Sequence, residues 1–212
     1  MSRSNKEEVY KIIKNKIIRQ ELLPKVTLQE KDMMVEYRIG RTPLRDVFMR
    51  LKEDGLIETI PQSGTFVKEL DLDELRDAIE MRIPLEVLAA KVIPYRITNM
   101  QLEEIGFIIF SLEKHVNNIS INEAKIYTER LHDIYYGATC NKKLSQSLTN
   151  LHNFSSRAWY LIDFKKEYVA NSIKDWKKIE SLITNKEVKE LQDMMKNHIV
   201  SFANTLKLNL EY

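Results

Sequence analysis

Arg41-Thr42-Pro43-Leu44-Arg45-Asp46-Val47-Phe48-Met49-Arg50-Leu51, followed by Asp54-Gly55-Leu56-Ile57 and Pro61-Gln62-Ser63-Gly64-Thr65-Phe66-Val67, decides the fold of the N-terminal third. Leu44, Val47, Phe48 and Leu51 recur every three or four residues, the buried stripe of an amphipathic helix. Pro43 fits the first helical turn, where its missing amide donor costs nothing. Gly55 is a helix stop. Residues 56–60 suit a strand, Pro61 to Gly64 form a turn, and Thr65-Phe66-Val67 is β-branched and aromatic, so a hairpin follows the helix.

Upstream, Ser4-Asn5-Lys6-Glu7 has the form of a capping box. Behind it Val9, Ile12, Ile13, Ile17 and Leu22 hold helical spacing, which predicts a helix over about residues 5–21. Leu23-Pro24 closes it, because the residue before proline disfavours the helical region. Residues 26–28 read as extended. A short helix over 30–37 places Met33, Met34 and Tyr37 on one side, with Glu30 and Asp32 in a first turn whose dipole favours acids. Arg38-Ile39-Gly40 then joins it to the third helix. Three helices and a hairpin, in that order, predict a winged helix-turn-helix.

Arg41 and Arg45 lie one turn apart at the start of the third helix, away from its apolar stripe. The planar fork of arginine matches O6 and N7 of guanine in a major groove. Thr42 suits a phosphate or the helix cap. Basic residues on a helix are commonly just solvated. The position of these two at the head of the third helix makes them candidate DNA readers.

The bulk numbers permit this reading without arguing for it. The chain has 212 residues, a net charge of +2 and 43% hydrophobic residues. That is enough for one large or two modest globular domains. Residues 1–69 hold 14 Lys+Arg against 11 Asp+Glu, and the remainder 19 against 20, so specificity has to come from local placement. No apolar run approaches the ~18 residues of a membrane span. The polar start, Met1 to Glu8, does not have the form of a secretory signal. A lone cysteine, Cys140, fits a reducing cytoplasm.

Glu69 to Asp73 reads as a linker, dividing a domain over 1–69 from one over 70–212. Leu72, Leu75, Ile79, Leu85, Leu88, Ala89 and Val92 predict a helix to about residue 92, kinked at Pro84 and ended by Pro94. Thr98-Asn99-Met100-Gln101 is a second capping box, leading into Leu102, Ile105, Ile109, Leu112 and Val116. Further helices are expected over about 122–136, 144–161, 168–182 and 187–206. The class is mainly α, with an all-α antiparallel bundle of six or seven helices after the winged helix.

Val9 to Val67 resembles the winged helix of the GntR regulators. The stretches that carry the likeness are Tyr10-Lys11-Ile12-Ile13, Leu22-Leu23-Pro24, Leu28-Gln29-Glu30, Arg41-Thr42-Pro43-Leu44-Arg45, Arg50-Leu51, Asp54-Gly55-Leu56-Ile57 and the segment from Pro61 to Val67. The resemblance implies DNA contacts from Lys31, Arg41, Thr42, Pro43, Arg45, Gln62, Ser63 and Gly64. Two departures stand out. Arg38 occupies a turn position where glycine is common, so a left-handed conformation is expected there at some cost. Gly40 replaces the usual serine before Arg-Thr-Pro.

Residues from about 72 to 199 resemble the FCD effector domain of the FadR-like branch, through Glu80-Met81-Arg82-Ile83-Pro84-Leu85-Glu86, Leu88-Ala89-Ala90, Leu131-His132, Asn141 and His198. This implies an effector site including Arg82, Thr128, His132, Trp176 and His198, and a homodimer formed through the helical half. Many such domains hold a divalent metal on an Asp and three His. Here only His132 and His198 match, since the other two positions are Thr128 and Trp176. Thr is a poor ligand and Trp is none. No cofactor is therefore expected, and the spacing neither demands nor forbids His152 as a substitute ligand. An acidic effector is the expectation if Arg82 offers its two donors to a carboxylate; the other reading of Arg82 is a salt bridge with Glu80 or Glu86. Tyr127, Tyr135, Tyr136, Phe154, Trp159 and Trp176 are either pocket lining or ordinary core.

The function expected is a cytoplasmic, effector-controlled transcription factor bound to double-stranded operator DNA, with repression the commoner mode in the family. The rival is an all-α metal-dependent enzyme using His132 and His198. Two histidines without an acid–base partner at fixed spacing support it poorly.

Overall fold

The computed structural model describes residues 5–115, 120–161 and 166–206, leaving aside the side chains of 121, 122, 159–161 and 166–168. Ser4 and Val116, and the Trp159 side chain, therefore lie outside the described residues. The chain divides into two compact units, Met1–Leu75 with Asn153–Ile162, and Arg76–His152 with Asp163–Tyr212.

In the first unit, α1 (Lys6–Ile18) starts at Asn5, whose side chain accepts from the Glu7 amide at 3.1 Å. It ends earlier than expected because Gln20 turns to φ 60, and the Glu21 and Leu22 amides fold back onto the Lys16 carbonyl. α2 (Glu30–Glu36) and α3 (Arg41–Glu53) follow. Val9, Ile13 and Ile17 of α1 pack with Met33 and Tyr37 and with Leu44, Val47 and Leu51 of α3. Each such aliphatic side chain stabilises the fold by about 1.5–3 kcal/mol. A half-buried polar lock sits beside this core. Lys14 donates to Asp54 at 3.0 Å, the Tyr10 hydroxyl donates to the same carboxylate, and Arg50 stacks on the Tyr10 ring at 3.6 Å.

Gly55 ends α3 at φ 70, a conformation that favours glycine. β1 (Ile57–Ile60) pairs antiparallel with β2 (Gly64–Val67), Ile57 facing Val67 and Ile60 facing Gly64. The extended residues 26–28 join this hairpin. Thr27 bridges Phe66, and the Leu28 amide reaches the Thr65 carbonyl at 2.8 Å. Asn153–Ile162 belongs to this unit. Phe154 meets Gly55, and Arg157, fully buried, donates to the Lys68 carbonyl.

Asp71 caps α4 (Leu72–Val92), accepting from the amides of Asp73 and Glu74 at 2.9 Å, so the helix begins inside the expected linker. Pro84 lies within α4, and a 3-10 turn (Ile93–Tyr95) containing Pro94 ends it. In the second unit follow α5 (Asn99–His115), α6 (Ile121–Gly137), α7 (Lys142–Leu161, to His152 here), α8 (Lys166–Thr184) and α9 (Val188–Thr205). The Thr98 capping box forms as expected, and a second one at Ser120 and Glu123 opens α6. α8 packs against α5 and α9, around Ile105, Leu131, Tyr135, Trp176, Ile179, Leu191 and Met195.

Candidate functional site

The first candidate site is the tip of α3 in the first unit. Arg41 and Arg45 have side chains 67% and 60% exposed, and both reach one carboxylate. Arg41 Nε donates to Glu30 Oε2 at 3.0 Å, and Arg45 Nε to Glu30 Oε1 at 2.8 Å. These bonds, Arg45 first, hold the Glu30 carboxyl below the usual carboxylate range. Both guanidinium groups keep terminal nitrogens beyond this contact. A single acid at the head of α2 thus aligns the two cations one turn apart on α3.

Gly40 is the N-cap of α3 and offers no side chain to its first amides, and the first turn carries no acid. Free amides at a helix start favour an anion such as a phosphate. Thr42 is exposed beside them and Pro43 is half-buried. Arg38 has φ 49, the left-handed conformation expected where glycine is common. The buried Ile39 anchors this turn, whose amide reaches the Met34 carbonyl at 3.2 Å. Lys31 is exposed on α2. Gln62, Ser63 and Gly64 are exposed at the hairpin tip, where Gln62 has φ 64 and the Ser63 amide closes the turn onto the Ile60 carbonyl.

The second candidate site lies within the second unit and is built around His132. Its Nδ1 lies 2.9 Å from the Thr128 carbonyl, so Nδ1 carries the proton and Nε2 presents a lone pair. His152 stacks on this ring at 4.2 Å, while Trp176 meets it edge-on at 4.9 Å and His198 lies at 5.9 Å. Burial, reinforced by His152, Arg82 and His198, pushes the His132 pKa far down. Burial, Arg82 and His198 do the same to His152. Both rings are therefore neutral near pH 7. His198 donates from Nδ1 to Asp175 at 2.9 Å.

Arg82 is buried and engaged. Its Nε donates to Glu86 Oε1 at 3.0 Å and a terminal nitrogen to the Tyr136 hydroxyl at 3.0 Å, while that hydroxyl donates to Glu86 Oε1 at 2.6 Å. Of the two readings of Arg82, the salt bridge is present, and it is with Glu86. Thr128 enters through its carbonyl, since its hydroxyl donates to the Ala124 carbonyl at 2.9 Å. Among the described residues, Glu86 Oε2, His132 Nε2, the Tyr135 hydroxyl and Trp176 Nε1 are buried with no hydrogen-bond partner, and Ser172 Oγ, one turn before Trp176, is another such atom. Each costs about 1–3 kcal/mol if nothing meets it, so the cluster carries a polar demand that the described residues do not satisfy.

This donor set does not fit a divalent metal. The Thr128 hydroxyl is committed to the backbone, an indole offers no lone pair, and the His132 and His152 rings stack rather than converge. Among the described residues no group of three or more His, Cys, Asp or Glu is placed to hold one. Sequence reasoning took Glu86 only as a possible ion-pair partner of Arg82 and left out Asp175.

No helix among the described residues is long and apolar enough to cross a membrane. The family model for bacterial regulatory proteins of the gntR family matches residues 5–67, and that for the FCD domain matches residues 77–201. The HTH-type transcriptional repressor RspR of Escherichia coli (strain K12) is 30% identical over 95 residues, 45% of this chain and 42% of that protein. The Nta operon transcriptional regulator of Aminobacter aminovorans is 24% identical over 128 residues, 60% of each. The match thus spans less than half the length of RspR. Among solved structures, E. coli McbR/YncC superposes with a TM-score of 0.81 at 15% identity, covering 97% of this chain and 100% of that one. A protein described as a GntR regulator from Rhodococcus sp. RHA1 gives 0.77 at 14% identity, covering 97% and 99%. These two likenesses establish the fold, mainly α with a small β-wing. With one family model lying on the winged helix and the other covering more than half of the residues, the chain belongs to the GntR family of bacterial regulatory proteins, in the group that carries an FCD domain.

Proposed function

We propose that this protein is a sequence-specific transcriptional regulator, with a DNA-reading domain over residues 1–69 and an effector domain over 70–212. The observation that carries the reading is the exposed Arg41 and Arg45 pair, aligned by Glu30 at the uncapped start of α3. Arg41 and Arg45 read bases in the major groove, Thr42 and Pro43 sit against the backbone, Lys31 meets a phosphate, and Gln62, Ser63 and Gly64 contact DNA from the wing. The name of RspR supports repression as the mode. The site of action is the cytoplasm, where bacterial DNA lies.

The His132 cluster is the effector site, with Arg82 and Thr128 positioning it and Trp176 and His198 lining it. The protein acts as a homodimer on a two-fold related operator. An exposed apolar face on α5 supports pairing of two copies: Met100, Phe107 and Phe110 are 77%, 68% and 62% exposed at helical spacing. The enzyme reading built on His132 and His198 is not carried forward, because the family and the relatives are transcriptional regulators.

Selection of bound duplexes from a random pool, followed by gel shift on the enriched sequence, tests the assignment. A shared two-fold motif that wild type shifts and Arg41→Ala does not is the expected result. Failure to enrich any motif overturns it.

A further inference from the structure

Resting on the reading of the His132 cluster as the effector site, we propose that its ligand is a small neutral molecule carrying hydroxyl or N–H donors, and not a carboxylate anion. The partners left in the cluster decide this. Glu86 accepts from Arg82 and Tyr136 on Oε1, while its Oε2 is buried with no partner among the described residues. His132 donates from Nδ1 to the Thr128 carbonyl, which leaves Nε2 as a buried acceptor with no partner among the described residues. Two acceptors therefore wait for a ligand that donates. Two donors wait for one that accepts: Trp176 Nε1, which can only donate, and the Tyr135 hydroxyl.

A hydroxyl or a primary amide serves both demands, since each donates and accepts at neighbouring atoms. A carboxylate anion serves only one. It would satisfy Trp176 and Tyr135 and place its charge near the uncompensated oxygen of Glu86. The cation that could offset this, Arg82, already faces the chain's own carboxylate, which occupies the place an acidic ligand would take. Nor does the histidine pair supply positive charge, because burial keeps His132 and His152 neutral near pH 7. Trp176 packs edge-on to His132 at 4.9 Å and to Tyr135 at 6.0 Å, which brings the donors of Trp176 and Tyr135 into the same cluster as the His132 acceptor.

The test uses the full chain and matched probes: xylitol against xylonate, propanamide against propionate, and glucose against gluconate. Thermal shift and titration calorimetry at neutral pH read binding. The neutral member of at least one pair should bind about tenfold or more tighter than its acid. Glu86→Gln, which replaces the accepting oxygen by an amide, should reduce that ratio about tenfold. Because Glu86→Gln disturbs a buried ion pair, Tyr135→Phe serves as a second variant. It removes one hydroxyl and should weaken the neutral probe about fivefold without lowering the thermal midpoint of the ligand-free chain. Tighter binding of the acids overturns the proposal, as does a wild-type chain stabilised by no neutral probe. These readouts concern the free protein, so they stand apart from operator selection, whose failure would instead remove the regulatory reading.

Discussion

Glu30 accepts a hydrogen bond from the Nε of Arg45 at 2.8 Å, and its other oxygen takes the Nε of Arg41 at 3.0 Å. The arginines are more than half exposed, so solvent screens the pairs and their stability contribution is small. Their effect is on aim. Glu30→Ala should leave the thermal midpoint nearly unchanged and raise affinity for random-sequence DNA, because a repelling carboxylate is gone. It should also lower the ratio of operator to random binding, measured by competition gel shift. An unchanged ratio would mean that the pairs do not orient the readers.

Replacing a base-reading arginine differs from replacing a phosphate contact. Arg41→Ala and Arg45→Ala should each weaken operator binding by about 1–3 kcal/mol and relax preference at one base position. Lys31→Ala should weaken all sequences alike and reduce the salt slope by about one unit. Binding isotherms across a salt series separate the two behaviours.

Arg38 sits at φ 49 between α2 and α3. A left-handed residue with a Cβ carries about 1–2 kcal/mol of local strain, partly offset by the flexibility that glycine adds to the unfolded chain. Arg38→Gly should leave stability unchanged or raise it by up to about 1 kcal/mol. Arg38→Val should lower it, since a β-branched side chain tolerates this region least. Urea denaturation of the two variants gives the comparison.

Asp54 receives both Lys14 and the Tyr10 hydroxyl, with the Lys14 and Asp54 side chains only 10% and 11% exposed. Burial and the Asp54 hydrogen bond push the Tyr10 hydroxyl pKa up, so it stays a donor. Asp54→Ala leaves a nearly buried ammonium without its counter-charge and should cost about 3 kcal/mol. Tyr10→Phe, which keeps the Lys14 to Asp54 pair, should cost about 1 kcal/mol. Equal losses in the two would show that the charge pair is not the main contributor.

Acid should destabilise the second unit through His132 and His152. Their folded pKa values lie below the unfolded value of about 6.5. As pH falls below about 6.5 the unfolded chain takes up protons that the folded one refuses, so stability declines by up to about 1.4 kcal/mol per pH unit for each ring. The loss continues until the folded pKa values are reached, and above neutrality the contribution is flat. His152→Phe keeps an aromatic ring in the stack and should reduce the slope by about half. Thermal midpoints measured from neutral pH downward test this, and an unchanged slope in the variant would contradict it.

Local signals carried most of the fold. The stripe Leu44, Val47, Phe48 and Leu51 located α3 because a helix writes its buried face at short range, and every one of those residues is in the core. Arg38 was legible as a left-handed turn from the glycine that is missing there. The Ser120 capping box was equally legible from Ser-x-x-Glu and was passed over. Other features depend on which faces meet. The Glu86 to Tyr136 bond spans 50 residues and the His198 to Asp175 contact 23, and no periodicity within one helix reveals them. The histidines were visible as residue types, but the stack of His132 on His152 depends on helix register, which sequence spacing does not encode.

Pro84 falls between Arg82 and Glu86 in α4. Proline has no amide to return to the Glu80 carbonyl, so the helix lacks a rung at that turn. Arg82 and Glu86 tie the turn before that gap to the turn after it, so two side chains supply a link where the backbone leaves one out.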